Sequence, residues 1–124
     1  MSISGVRVLV VEDDDVIRRL ITVNLELEGF EVSQASDGQE CLDVVVGIDP
    51  RVVVLDVAMP QLDGLATASA LKAAPQTAHV KIIMVSARAQ QVDIRRGLDA
   101  GADVYLTKPF EPDALIRAVR ELAG

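Results

Sequence analysis

The sequence predicts an α/β fold, a (βα)5 doubly wound sandwich with one five-stranded parallel sheet between two layers of helices. Three observations lead there. Short Val-, Ile- and Leu-rich runs alternate along the whole chain with stretches whose apolar residues recur at helical spacing. The run Val52–Leu55 is apolar without alternation, as a strand covered on both faces must be. The segments joining successive runs are short, which favours parallel strands linked by right-handed helical crossovers.

The elements follow in order. Val6–Val11 reads as the first strand and breaks off at Glu12-Asp13-Asp14-Asp15. Ile17, Leu20, Ile21 and Leu27 give the first helix its apolar spacing, and Gly29 ends it. Phe30–Ala35 alternates as a second strand. Ser36 with Gln39 offers a capping box for a second helix that carries Leu42, Val45 and Val46. Val52–Leu55, bounded by Pro50 and closed by Asp56, is the central strand. After the turn signals Met59-Pro60 and Asp63-Gly64 comes an Ala-rich helix, Leu65–Ala74, stopped by Pro75. Lys81–Val85 is the fourth strand. Gln90–Ala100 is a weaker helix with Gly97 inside it, and Val104–Thr107 is the last strand. Pro112 suits a first helical turn, and Leu115, Ala118, Val119 and Leu122 form one stripe behind it.

The 124 residues suit one domain, 1–124, with its core over about 6–122. Composition excludes several function classes. With one Tyr, two Phe and no Trp, there is no platform for stacking bases. A net charge of −7 repels nucleic acid and anionic membrane, so neither is expected to bind directly. The single cysteine, Cys41, has no internal disulfide partner and is expected to pack as a small apolar residue. Met1–Gly5 lacks the pattern of a signal peptide, and no apolar run is long enough to span a bilayer, so a cytoplasmic protein is expected.

In an open parallel sheet, sites form at the carboxyl ends of the strands. Glu12, Asp13, Asp14 and Asp15 follow the first strand, Asp56 the third, Ser86 the fourth and Lys108 the fifth. Two carboxylates about 5 Å apart repel by roughly 3 kcal/mol at an effective dielectric of about 20, so such a cluster implies a cation among them. An all-oxygen set suits Mg²⁺, and no Cys or His is placed to make a softer site. Beside such an ion a carboxylate can act as a nucleophile toward phosphorus. Asp56, alone at the end of the central strand, is the natural nucleophile, and Glu12 and Asp13 are the metal-site acids. Lys108 supplies an ammonium for the phosphoryl oxygens, and Ser86 a hydroxyl that is also able to cap the next helix. Asp14 and Asp15 suit a helix N-terminus.

Four segments in this order and spacing resemble the motif set of two-component response regulator receiver domains, the chemotaxis-receiver-like family with a flavodoxin-like fold. They are Val10–Asp14, Leu55–Pro60 with Asp63-Gly64, Val85–Ala87, and Ala100–Phe110. The resemblance covers about Val6 to Leu122. It implies that Asp56 accepts a phosphoryl group from a phosphohistidine on a sensor histidine kinase or phosphotransfer protein. It further implies that Asp13 binds Mg²⁺ directly, Glu12 binds it through water, and the backbone carbonyl of Ala58 is a further ligand. Lys108 would precede a cis Pro109, Ser86 would move toward the phosphoryl group, and Tyr105 would rotate inward behind it. The readout would lie on the face of the fourth helix, fifth strand and fifth helix, for an effector protein or a fused output domain. Such a chain works as a switch rather than as an enzyme on external substrates. It is either a stand-alone regulator or a receiver from a longer protein.

Two rivals stand against this reading. A haloacid-dehalogenase-type phosphatase places its nucleophile in an Asp-x-Asp motif after the first strand, a pattern that Asp13 and Asp15 allow. A receiver-like interaction domain that works without phosphate would have no use for the complete acidic set and Lys108.

Overall fold

A computed structural model describes residues 5–59 and 61–124. Pro60, part of one predicted turn, and residues 1–4 lie outside the described residues. The elements are β1 (Arg7–Val11), α1 (Asp15–Leu27), β2 (Glu31–Ala35), α2 (Gly38–Ile48), β3 (Val52–Asp56), α3 (Gly64–Ala73), β4 (Lys81–Ser86), α4 (Gln91–Asp99), β5 (Val104–Thr107) and α5 (Pro112–Ala123). All strands are parallel, in the order β2-β1-β3-β4-β5. The order reverses between β1 and β3, and a cleft opens beyond their carboxyl ends.

Alternation along each strand divides the core into two layers. Val8 and Val10 of β1, Val52 and Val54 of β3, and Ile83 and Val85 of β4 meet Ile21 and Leu25 of α1 and Leu115 and Val119 of α5. Leu9, Val11, Val53, Leu55, Ile82 and Met84 face the other way, against Cys41 and Val45 of α2 and Ala68 and Leu71 of α3. All five residues of β3 are buried, which accounts for its unbroken apolar run.

Three local expectations are corrected. Asp37, not Ser36, caps α2 by accepting the Glu40 N–H. The Glu40 side chain in turn accepts the N–H of Ser36, the residue before the cap, so Asp37 and Glu40 take the roles expected of Ser36 and Gln39 without closing a reciprocal box. Val46 is exposed, because α2 turns Cys41 and Val45 to the sheet. On α1, Leu20 and Leu27 are exposed as well, and the buried line runs through Ile21 and Leu25. Val16, Leu20, Val23 and Leu27 form a second stripe on the solvent side. Asp14 caps α1 by accepting the Val16 and Ile17 N–H groups, as its position suggested.

Candidate functional site

The sheet register brings the predicted residues to one edge. Asp56, the last residue of β3, sits beside Val85, and Glu12 follows Val11 at the end of β1. Two glycine-dependent contacts fix the floor. The Gly64 N–H donates to Val57 O at 2.8 Å, and a Cβ on Gly64 would lie 2.3 Å from the Asp56 carbonyl oxygen. Only glycine lets the start of α3 close on the backbone of Asp56. Asp63, one residue earlier, caps that helix through the Ala66 N–H. On the far side the Lys108 N–H donates to Ser86 O at 2.7 Å, which ties the end of β5 to that of β4. The Lys108–Pro109 peptide is cis.

Glu12, Asp13 and Asp56 each offer a carboxylate oxygen, all within 4.8 Å of one another. Glu12 is 1 % exposed, Ser86 2 % and Asp56 5 %, whereas Asp13 stands at the exposed mouth. The Lys108 ammonium reaches into the cluster, 2.7 Å from Glu12 Oε1 and 3.3 Å from Asp56 Oδ1. Burial works against its charge, but the hydrogen bond to Glu12 and the charges of Asp56 and Glu12 outweigh that effect and raise its pKa. The Asp13 pKa is raised too, by loss of solvent and by the neighbouring Glu12 carboxylate. One ammonium, that of Lys108, is paired within a cluster of three carboxylates, which leaves the cluster short of positive charge. Three hard oxygen donors around one point therefore fit a divalent cation such as Mg²⁺. Ala58 lines the same cleft, about 430 Å³ in volume, with Asp13, Met59, Asp63 and Arg88.

Ser86 and Tyr105 meet at one residue that sequence reasoning did not connect to them in this way. Ser86 Oγ accepts the Arg88 N–H at 3.0 Å, and the Tyr105 hydroxyl donates to Arg88 O at 2.9 Å. Ser86 therefore caps a turn and not α4, which starts at Gln91 with no side-chain cap. Asp15, the second acid of the phosphatase-like pattern, pairs with Arg18 and stands outside the acidic cluster. Sequence reasoning missed Arg18, whose guanidinium also holds the Glu12 carbonyl; an arginine among charges on a helix carries no signal in its spacing.

Comparison with known proteins agrees with this geometry. The chain belongs to the response regulator receiver domain family, whose model matches residues 8–120. It is 37 % identical over 116 residues to the DNA-binding dual master transcriptional regulator RpaA of Synechocystis, covering 94 % of this chain and 48 % of that protein. It is 36 % identical over 115 residues to the transcriptional regulatory protein SrrA of Staphylococcus aureus, covering 93 % and 46 %. The chain thus spans about half the length of these curated relatives. Among solved structures, the receiver domain of the Francisella response regulator 1452 superposes with a TM-score of 0.90 at 35 % identity, covering 96 % of this chain and 97 % of that one. The receiver domain of sensor histidine kinase PA1611 from Pseudomonas aeruginosa, solved with a magnesium ion coordinated in its active site cleft, gives 0.90 at 30 % identity, covering 98 % and 99 %. Among the described residues, no helix is long and apolar enough to cross a membrane.

Proposed function

We propose that this domain is a cytoplasmic phosphorylation switch in which Asp56 takes a phosphoryl group from a phosphohistidine of a sensor kinase or phosphotransfer protein. The observation that carries the reading is the convergence of the Lys108 ammonium and the carboxylates of Glu12, Asp13 and Asp56 at one strand edge. An Asp56 oxygen attacks phosphorus, the P–N bond breaks as the O–P bond forms, and the imidazole leaves to take up a proton from solvent. Lys108 stays charged throughout and offsets charge on the phosphoryl oxygens. Asp13, Asp56 and the Ala58 carbonyl would hold Mg²⁺ directly and Glu12 through water; when bound, the ion supplies further neutralisation of the transferring group.

Ser86 uses its oxygen to accept the Arg88 N–H, so its hydroxyl proton is free to be donated to a phosphoryl oxygen. Drawing Ser86 toward Asp56 pulls on the residue to which Tyr105 is bonded. The switch is then a shift between two arrangements of this turn, read by a protein partner at α4, β5 and α5. The phosphodonor approaches from the other side of the cleft. There the exposed Val16, Leu20, Val23 and Leu27 repeat at spacings of four, three and four, the seam that a partner helix fills. This stripe runs into a groove of about 540 Å³, lined by Ile17, Leu20, Pro109 and Phe110, that ends at Lys108.

The test is intact mass after incubation with Mg²⁺ and a small phosphodonor such as acetyl phosphate. One metal-dependent phosphoryl adduct on the wild type, absent from Asp56→Asn, is expected. No adduct on the wild type would favour the phosphate-independent interaction domain. Steady phosphomonoester turnover that survives Asp56→Asn but not Asp13→Asn would favour the phosphatase.

A further inference from the structure

We propose that Arg18 is a positioning residue for the cation site: its guanidinium clamps the Glu12–Asp13 peptide and so aims the Asp13 carboxylate at the cluster. The inference rests on the reading of Glu12, Asp13 and Asp56 as a Mg²⁺ site.

Asp13 stands at the exposed mouth of the cleft, and the peptide unit that precedes it fixes where its side chain starts. Arg18 holds the carbonyl of that unit, with Nη1 donating to Glu12 O at 2.8 Å. The other two nitrogens are spent on anchoring the fork. Nη2 donates to Asp15 Oδ1 in the first turn of α1, and Nε donates to Gln34 Oε1 of β2 at 3.1 Å. Three elements are thereby locked to one planar group whose side chain is only 17 % exposed. From the opposite direction the Glu12 N–H donates to Ala35 O at 3.1 Å, so both polar groups of the Glu12 backbone are tied. Among the described residues Arg18 makes no ion pair with a carboxylate of the cluster; its ion pair is with Asp15. It acts through the backbone, as outer groups that orient metal ligands do.

Charge and positioning predict opposite signs. A cation beside a cluster of acids weakens binding of another cation, so loss of Arg18 by charge alone would tighten Mg²⁺. Loss of the clamp loosens it, by roughly 10-fold, the lower end of what removal of an orienting group costs. Arg18→Lys separates the two effects, since it keeps the charge but a single ammonium does not span three fixed acceptors.

The experiment is calorimetric titration of the full chain with MgCl2, with melting of the metal-free form alongside. Arg18→Ala and Arg18→Lys should both bind about 10-fold more weakly than wild type, and Gln34→Ala, which loosens one anchor, should shift in the same direction by less. Asp13→Asn gives the baseline of a lost ligand. If wild type binds Mg²⁺ and the Arg18 variants bind it equally or more tightly, the proposal is overturned while the metal site stands. If wild type itself gives no binding heat and no Mg²⁺-dependent rise in melting temperature, the metal-site reading falls and takes the clamp with it. Should Arg18→Ala not fold, Arg18→Lys and Gln34→Ala decide the question.

Discussion

Tyr105 lies directly on Gly97: a Cβ added to that glycine would come within 2.6 Å of the ring Cδ2 and 2.8 Å of Cε2, with Met84 Sδ at 2.9 Å. The ring of β5 is thus seated in a notch that α4 opens by omitting one side chain. In the sequence Gly97 reads only as a weak point in a helix. In the structure it is the reason the Tyr105 hydroxyl reaches Arg88 O.

Gly97→Ala should therefore destabilise the protein, although alanine favours a helix by about 1 kcal/mol over glycine. Forcing the ring out of its seat costs typically 1–3 kcal/mol, which leaves a net loss of about 1 kcal/mol in urea unfolding. Adding Tyr105→Ala should cancel most of the clash and show a coupling well above 0.5 kcal/mol in a double-mutant cycle. Because the chain has one Tyr and no Trp, tyrosine emission reports the displacement without a label.

Lys108 is the one cation paired with the buried carboxylates among the described residues, and its removal strands them. Breaking such a pair costs about 3–5 kcal/mol when fully buried. With the Lys108 side chain 21 % exposed, Lys108→Ala should cost about 2–3 kcal/mol in metal-free buffer. Glu12→Gln on the same background should restore part of the loss.

The pH dependence of that difference has a definite sign. The folded-state pKa of Lys108 is raised above 10.5, so its contribution is complete below the unfolded value and disappears as pH climbs through the folded one. Denaturation of wild type and Lys108→Ala from pH 7 to 11.5 should show a constant gap up to about pH 10 that narrows above it.

Asp13 behaves in the opposite sense. Its raised pKa means that the folded state disfavours the charged carboxylate, so Asp13 stabilises the fold when protonated and burdens it above its folded pKa. Asp13→Asn should melt higher than wild type at pH 7 in EDTA. Addition of Mg²⁺ should raise the wild type and leave the variant where it was.

The corrected cap of α2 is equally open to test. Asp37→Ala should cost about 1 kcal/mol, while Ser36→Ala, which keeps the backbone N–H bonded to Glu40, should stay within about 0.5 kcal/mol.

The differences between sequence and structure have physical causes. Val52–Leu55 announced a central strand because burial on both faces suppresses alternation, and the strand ends placed Glu12, Asp56, Ser86 and Lys108 together through topology alone. Helix orientation was harder to read. On α1, Leu20 and Ile21 are neighbours in the chain yet face opposite environments, and only the packed sheet decides which stripe is buried. Ser36 and Asp37 are both good caps, and one residue of register separates them. Arg18, Gly64 and the Arg88 turn act through backbone atoms, whose partners no side-chain pattern announces.

Cys41 has a practical consequence. It packs fully buried between α2 and the sheet, and burial pushes its thiol up to about 12. The thiolate that reacts with maleimides or oxidants is therefore almost absent at neutral pH, and the sulfur is shielded from reagents besides. The native chain should behave toward thiol dyes as though it had no cysteine. A cysteine introduced at an exposed position of α4, such as Val92, then takes the label alone. Fluorescence from that label then tests whether the helix shifts on phosphorylation in an otherwise unaltered protein.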